Sequence, residues 1–149
     1  MRIIAILTVL LLCSFQTIPA SSKELSEAQS LVEQIVATHP GLVRLTIHAV
    51  PMGETQSRII ACNIQEKLGK LSDPEDLDAI KSKKTVVLRE GKNLDVTMPI
   101  LDKTGKAIAA TGITLALGDG TNEDALVKEA QGIAQELTEA IRTAGHPLW

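Results

Sequence analysis

Alternation of polar and apolar residues predicts a strand over residues 93–100 with one face on a core. A turn follows at residues 102–105, where Gly105 can take the positive φ that closes a hairpin with a bulge. The next segment, residues 106–117, is almost free of charge. We therefore expect it to be a central strand that is covered on both faces.

Three further segments read as strands. Residues 42–50 alternate, with apolar side chains on one face and polar ones on the other, and residues 57–62 are placed to pair back against them. Residues 85–89 form a third short apolar segment, which the turn at residues 90–92 connects to the strand at 93–100. The chain therefore carries five predicted strands.

Helical spacing of apolar residues predicts three helices. The first spans residues 21–37, and the second is a short helix over residues 72–83 that opens with Asp73 as its cap. The third is long and follows a cap at Thr121 or Asn122. The single tryptophan, Trp149, stands at the end of the chain, where we expect fraying.

The order of these elements predicts an α+β fold with one five-stranded antiparallel sheet. Two strands, a helical crossover and three more strands give the strand order 2-1-5-4-3, with the long N- and C-terminal helices on one face. Residues 63–84 must then cross from the second strand to the third.

The first 20 residues predict a secretion signal. Arg2 is followed by a short apolar run, and Ala20 offers a small residue at the cleavage point. The alternatives are a membrane anchor, for which the run is short against the roughly 20 residues needed, and lipidation at Cys13, which Leu12 disfavours. Cleavage leaves one domain, residues 21–149, in the periplasm or secreted.

Composition narrows the function classes. Without Arg2 the net charge is about −4 and basic runs are absent, which argues against nucleic acid as a partner. Cys62 is then the only cysteine, so we expect a buried, inert thiol. The three histidines show no metal-ligand spacing, and no catalytic motif is present. We predict no metal, cofactor or enzyme activity, although a triad gathered from distant segments stays open.

Polar residues on the predicted strands should share one sheet face. Arg44 and His48 lie on the first strand, Asp95 and Thr97 on the fourth, and Thr114 on the fifth. One interpretation is the solvated face of a half-buried sheet. The other is the wall of a pocket, closed by the crossover at residues 63–84.

Three stretches carry a resemblance to a known family: His39-Pro-Gly-Leu-Val-Arg-Leu-Thr, Lys67-Leu-Gly-Lys-Leu-Ser-Asp73 and Met98-Pro-Ile-Leu-Asp-Lys-Thr-Gly-Lys-Ala-Ile. In order and spacing they resemble the extracytoplasmic Cache (PAS-like) sensor domains. The resemblance implies that residues 63–84 fold over the polar face and make a ligand pocket. It also implies a homodimer through the N-terminal helices. Cache modules usually lie between two membrane spans, whereas this chain is expected to act as a stand-alone exported domain with a separate membrane-bound signalling partner.

The pocket interpretation predicts a ligand-binding set, which comprises Arg44, His48, Asp95, Thr97, Arg58, Lys67 and Thr114. Arginine and lysine would favour a carboxylate, and Asp95 an amino group, so the ligand would be a small molecule such as a carboxylate or an amino acid. Arg44 and Asp95 could instead pair with each other. Two functions stay open: a ligand-binding sensor module, and an interaction or scaffold domain whose pocket is filled in.

Overall fold

The computed structural model describes residues 26–146, 148 and 149. In chain order its elements are α1 (Glu27–Thr38), β1 (Leu42–Ala49), β2 (Arg58–Cys62), a short 3-10 turn (Gln65–Lys67), α2 (Pro74–Ser82), β3 (Val86–Glu90), β4 (Asn93–Leu101), β5 (Ala107–Ala116) and α3 (Glu123–Ala144). The predicted secretion signal lies outside the described residues. Among the described residues, no helix combines the length and the apolar character that a membrane crossing requires.

The five strands form one antiparallel sheet in the order β2-β1-β5-β4-β3, which confirms the predicted topology. The helices α1 and α3 both pack on one face of the sheet, as predicted, and they also contact each other. The opposite face is covered by α2, which contacts β4 and β5. The sheet is therefore the middle layer of three.

The hydrophobic core lies between the sheet and the helices α1 and α3. The side chains that β4 contributes are those of the alternating apolar positions recognised in the sequence: Leu94, Val96, Met98 and Ile100. They face Ile133 and Leu137 of α3, both of which are buried. Burying an aliphatic side chain of this size contributes about 1.5–3 kcal/mol, so this interface strongly stabilises the packing of α3 on the sheet.

The crossover segment reaches the other face through a well-capped helix. Asp73 caps α2, its side chain accepting from the N–H of Asp76, while the Asp76 carboxylate accepts from the N–H of Asp73 at 2.8 Å. Pro74 occupies the first turn, where its missing N–H costs nothing. The predicted cap at Asp73 is thus present, and the segment folds over the polar face of the sheet.

Two expectations concern the ends of the chain. Helix α1 begins at Glu27 with Ser26 as its cap, whose hydroxyl accepts from the N–H of Gln29, and the predicted helix residues 21–25 lie outside the described residues. Trp149 is not frayed: its side chain is half-buried against the core, as is that of Leu148. The backbone carbonyl of Leu148 accepts a hydrogen bond from the N–H of Ala28, which holds the C-terminus beside α1.

Gln29 fastens α1 to the edge strand β2. Its side-chain amide donates to the carbonyl of Cys62 and accepts from the N–H of Cys62, both at 3.0 Å. Gln29 is buried, and Cys62 is buried with a free thiol, as the sequence predicted. The amide thus replaces a neighbouring strand at the last residue of β2.

Gln29→Ala should lower the free energy of unfolding by about 1–3 kcal/mol, because it leaves the buried N–H and C=O of Cys62 without partners. Urea denaturation followed by circular dichroism measures this change. Gln34→Ala is the matched control, since Gln34 is exposed on the same helix and should change stability by less than about 0.5 kcal/mol. Equal effects of the two substitutions would contradict a role for the Gln29 amide.

Candidate functional site

A cavity of about 90 Å³ lies between the polar face of the sheet and the crossover segment. Its lining is mostly polar and charged: Arg44, Thr46, His48, Ile59, Lys67, Asp73, Glu75, Asp76, Glu90, Asp95, Thr97 and Gly112. The volume corresponds to about three water molecules. Five carboxylates and two permanent cations surround it, so the cavity is acidic on balance.

The centre of the sheet wall is a buried ion pair. Arg44 Nη2 lies 2.9 Å from Asp95 Oδ2, and the Thr114 hydroxyl donates to Asp95 Oδ1 at 2.8 Å. Glu90 lies at the edge of this group, 4.0 Å from Arg44 Nη2. Both oxygens of Asp95 therefore have donors, which offsets the cost of burying this side chain at 7% exposure. Arg44 and Asp95 pair with each other, the alternative that the sequence left open.

His48 joins the sheet to the crossover segment. Its Nε2 lies 2.9 Å from the Thr46 hydroxyl on β1. Its Nδ1 lies 3.0 Å from Asp76 Oδ2 of α2 and 3.2 Å from the Ser72 hydroxyl. The Ser72 hydroxyl also contacts that of Ser57 at 2.7 Å. His48 and Asp76 are both buried, so the contact between sheet and helix is a largely buried hydrogen-bonded network.

Burial disfavours charge on both members of the His48–Asp76 pair. It lowers the pKa of His48 from 6.5 to about 4, with a further contribution from the positive charge of Arg44. It raises the pKa of Asp76 from 3.8 to about 7, an effect that the hydrogen bond from the Asp73 N–H partly offsets. Between these values the pair holds one proton on the carboxyl, from which Asp76 donates to a neutral imidazole.

The hydrogen bonds on the other side of the imidazole agree with this assignment. The Thr46 hydroxyl accepts from the N–H of Gly112 at 3.1 Å and lies 3.2 Å from the Gly112 carbonyl. Because a hydroxyl has one proton, Thr46 satisfies that carbonyl only if His48 Nε2–H is the donor to Thr46. Thr46, His48 and Asp76 follow the order of a hydroxyl–imidazole–carboxylate triad, but both hydrogen bonds run the other way, because Nε2–H donates to the hydroxyl and the Asp76 carboxyl donates to Nδ1. The Thr46 hydroxyl is also engaged by the backbone of β5.

Gly112 forms the floor of the cavity. A Cβ at this position would lie 2.6 Å from Thr46 Oγ1, 3.8 Å from His48 Nε2 and 4.0 Å from Thr97 Oγ1. The first distance is shorter than real contacts allow, so the missing side chain is what lets β5 approach the network. It also leaves the three polar atoms facing one small space.

Three polar groups of the lining have no hydrogen bond or ion pair with any other residue that the structure describes. They are the Thr97 hydroxyl, the Lys67 ammonium group and the Glu75 carboxylate. Thr97 is only 3% exposed as a whole residue, and the accessible surface that its hydroxyl retains lies at the cavity. Hydroxyls of buried residues normally have partners. The cavity is the remaining place where a partner of Thr97 could be.

The structure brings most of the predicted site residues to one cavity. Arg44, His48, Asp95, Thr97 and Lys67 line it. The other two predicted residues are placed differently. Thr114 lies below the cavity and contacts it through Asp95.

Arg58 lies outside the cavity because the pairing of β1 with β2 shifts register between Ile47 and His48. With this bulge Arg58 pairs with Ala49, which faces the helix side of the sheet, and its guanidinium contacts Glu54 at 2.5 Å. One extra residue in a strand moves every following side chain to the other face. The sequence does not mark this bulge.

Sequence reasoning missed Asp76 and Ser72. Asp76 lies three residues before the buried Ala79, which places both on one helix face. That spacing was the available signal. Ser72 carries none, because its contact with His48 depends on how the crossover folds.

Two larger depressions lie away from this network. One, of about 290 Å³, is at the β4–β5 turn beside the end of α3, and the other, of about 390 Å³, lies between α3 and β4. Arg142 lines both and already donates to the carbonyl of Leu101 and to Glu139. Among the residues that the structure describes, no group of three His, Cys, Asp or Glu side chains could hold a metal ion.

No protein-family model matches the chain, and no curated protein shows significant sequence similarity to it. The fold does match solved structures. A double mutant of the inducer-binding domain of the PobR transcription factor from Acinetobacter, in complex with 3-hydroxybenzoic acid, has a TM-score of 0.50 at 12% identity, over 77% of this chain and 95% of that chain.

Two further structures show the same likeness. A GAF domain from the Acinetobacter phosphoenolpyruvate-protein phosphotransferase has a TM-score of 0.50 at 17% identity, over 83% of this chain and 86% of that chain. An IclR transcriptional regulator from Alicyclobacillus acidocaldarius has a TM-score of 0.53 at 12% identity, over 78% of this chain and 65% of that chain. The chain therefore has a PAS/GAF-like α+β fold, the fold class predicted from the sequence. Identities this low establish the fold and not the function.

The His48–Asp76 pair predicts opposite pH dependences for two variants. The raised pKa of Asp76 stabilises the folded state at low pH, and this contribution is lost as the pH rises from about 4 to about 7. The lowered pKa of His48 acts in the other direction, because stability is lost as the pH falls from 6.5 to about 4. In the wild type the two effects largely cancel between pH 4 and 6.5.

In the Asp76→Asn variant only the effect of His48 remains. The free energy of unfolding of this variant should therefore rise as the pH goes from 4 to 6.5, by up to about 1.4 kcal/mol per pH unit. His48→Gln leaves the carboxyl effect, so its stability should fall as the pH rises from 4 to 7. Urea titrations at several pH values, compared with the wild type, measure both slopes. Slopes of the same sign in the two variants would rule out the opposed pKa shifts.

Proposed function

We propose that this domain is a small-molecule-binding sensor module whose ligand site is the cavity beneath residues 63–84. The observation that carries the proposal is the Thr97 hydroxyl, which has no partner among the described residues and lines the cavity, on a residue that is only 3% exposed. Pockets with a few convergent polar groups are the usual ligand sites of a domain. The PAS/GAF-like fold agrees with this function, since the PobR domain is an inducer-binding domain.

The three lining groups without a partner among the described residues define the class of ligand. Lys67 supplies a cation for a carboxylate, Glu75 supplies an anion for an amino group, and Thr97 can bond to either. Asp95 is already neutralised by Arg44, so it is not available as the main amine partner. These groups suit a zwitterion. The volume of about 90 Å³ admits only a very small one, such as glycine or alanine, unless α2 moves outward.

The proposal includes no catalytic step. The hydroxyl in the position of a nucleophile, that of Thr46, is already bonded to the backbone of Gly112. A weakly basic imidazole, with its pKa lowered to about 4, is also a poor general base at neutral pH. The module would report occupancy instead of transforming the ligand, and it would do so through a separate membrane-bound signalling partner.

A second candidate is an interaction or scaffold domain with a filled-in pocket. The observation in its favour is the pairing of Arg44 with Asp95 at 2.9 Å, which satisfies both charges without a ligand. The small cavity volume agrees with it. In this case water in the cavity would be the hydrogen-bond partner of the Thr97 hydroxyl.

Glycine should raise the melting temperature of the wild-type domain in a concentration-dependent way, because a ligand that binds only the folded state stabilises it, by about 2.7 kcal/mol at 100 times Kd. Acetate carries only the carboxylate of glycine and methylammonium only the ammonium group. Each should therefore raise the melting temperature less than glycine does at equal ionic strength. Lys67→Met and Thr97→Val should abolish the effect of glycine and keep the unliganded domain folded. Differential scanning fluorimetry, with native mass spectrometry of the purified protein, makes the measurement.

Lys70→Met is the matched control, since Lys70 is exposed in the same segment and does not line the cavity. It should respond to glycine as the wild type does. If no compound of the panel shifts the melting temperature and no bound metabolite is seen, the scaffold function is favoured instead. If only a larger molecule binds, α2 must move on binding.

We further propose that the domain belongs to the extracytoplasmic Cache-type sensors and is exported to the periplasm or secreted. The support is the signal pattern of residues 1–20 and the three stretches that resemble the family. In a bacterial host, N-terminal sequencing of the exported chain should find Ser21 as its first residue. Ile6→Arg, which breaks the apolar run, should keep the chain in the cytoplasm. An exported chain that still begins at Met1 would contradict cleavage.

A further inference from the structure

Strand β3 is an open edge of the sheet. Among residues 26–146, 148 and 149 it pairs with β4 and with no strand on its other side. Val87 is 44% exposed and Leu88 is 39% exposed, although both belong to a strand. An exposed apolar edge offers a template for pairing with another chain.

The hairpin geometry shows which backbone groups point outward. Glu90 pairs with Asn93 across a two-residue turn that begins with Gly91, whose φ of +59° suits the first central position of a type II′ turn. The pair that closes such a turn is hydrogen-bonded, and bonded and non-bonded pairs alternate along the ladder. The N–H and C=O groups of Val87 and Arg89 therefore point away from β4.

We propose that two copies of this chain pair through their β3 strands, antiparallel and centred on Val87, so that one continuous sheet runs through both. The surface and its occupant are thus the same strand in two copies, related by a two-fold axis. This register places Val87 opposite Val87 of the partner subunit and Val86 opposite Leu88 of the partner subunit. The exposed apolar side chains then cover one another.

Charge complementarity selects this register. Centring on Val87 places Lys84 opposite Glu90 of the partner subunit, twice in each dimer by symmetry. Centring on Leu88 instead would place Lys84 opposite Lys92 of the partner subunit, and like charges directly opposite are destabilising. Charged residues at an edge often serve only to prevent pairing. Here the charge two residues before β3, on Lys84, and the charge at its last residue, Glu90, are opposite in sign and meet across the two copies.

Helix α1, for which the sequence analysis predicted the dimer contact, offers less apolar surface. Its partly buried residues Leu31 and Val36 pack against the core of the same chain. No large apolar side chain of the described helix is among the exposed ones, whereas β3 contributes two. The edge strand is therefore the better surface.

Sedimentation equilibrium of the purified chain over a concentration series tests the proposal. The wild type should show a monomer–dimer equilibrium, with a Kd below the order of 1 mM. Lys84→Glu and Glu90→Lys should each weaken the dimer by about tenfold or more, because each places two like-charged pairs in the interface. The double variant, and an equimolar mixture of the two single variants, should both dimerise again.

Val87→Pro is a second, independent variant. It removes an outward N–H that β4 does not use, and proline is tolerated on an edge strand. It should yield a folded monomer with an unchanged circular dichroism spectrum. A wild type that is monomeric at every concentration would overturn the proposal. So would a dimer that survives the single charge reversals and Val87→Pro, since its interface would lie elsewhere.

Discussion

The covered polar face of the sheet depends on how the charge of Asp95 is met. At 7% exposure an unpaired carboxylate would cost several kcal/mol, more than a small domain can lose without large effects on stability. Thr114 on the neighbouring strand β5 and Arg44 on β1, one strand further, donate to its two oxygens. Because the Asp95 carboxylate has its partners within the sheet, α2 can cover this face without burying an unpaired carboxylate.

The second constraint is the joint between sheet and helix at His48. Here burial is tolerated in a different way, because His48 and Asp76 are both neutral and the proton on Asp76 is donated to the imidazole of His48. The Thr46 hydroxyl in turn donates to the carbonyl of Gly112, and the absence of a Cβ at Gly112 allows this close contact. The same face therefore holds one ion pair and one neutral pair. In the first, donors reach both carboxylate oxygens of Asp95, whereas burial raises the pKa of Asp76 and lowers that of His48 in the second.

Sequence periodicity was sufficient for the elements, their order and the faces of β1, β4 and β5, because a strand with one face on a core must alternate. It failed at Arg58, where a bulge reversed the face, and at Trp149, where packing overrides position at the terminus. Asp76 and Ser72 were missed for another reason. Their roles come from contacts across the crossover, and the spacing of Asp76 from Ala79 shows only that Asp76 shares the buried face of α2, not that it meets a histidine there.

Glu90 belongs to both proposed sites, and this position would couple them. Its carboxylate lies at the rim of the cavity, 4.0 Å from Arg44, and its strand is the edge through which two copies would pair. A lysine of the partner subunit beside Glu90 would draw that carboxylate away from Arg44 and leave the guanidinium to Asp95 alone. The electrostatic potential at the mouth of the cavity would then differ between monomer and dimer. Because coupling between two binding equilibria is reciprocal, a ligand that prefers one state must shift dimerisation by the same factor as dimerisation shifts its affinity.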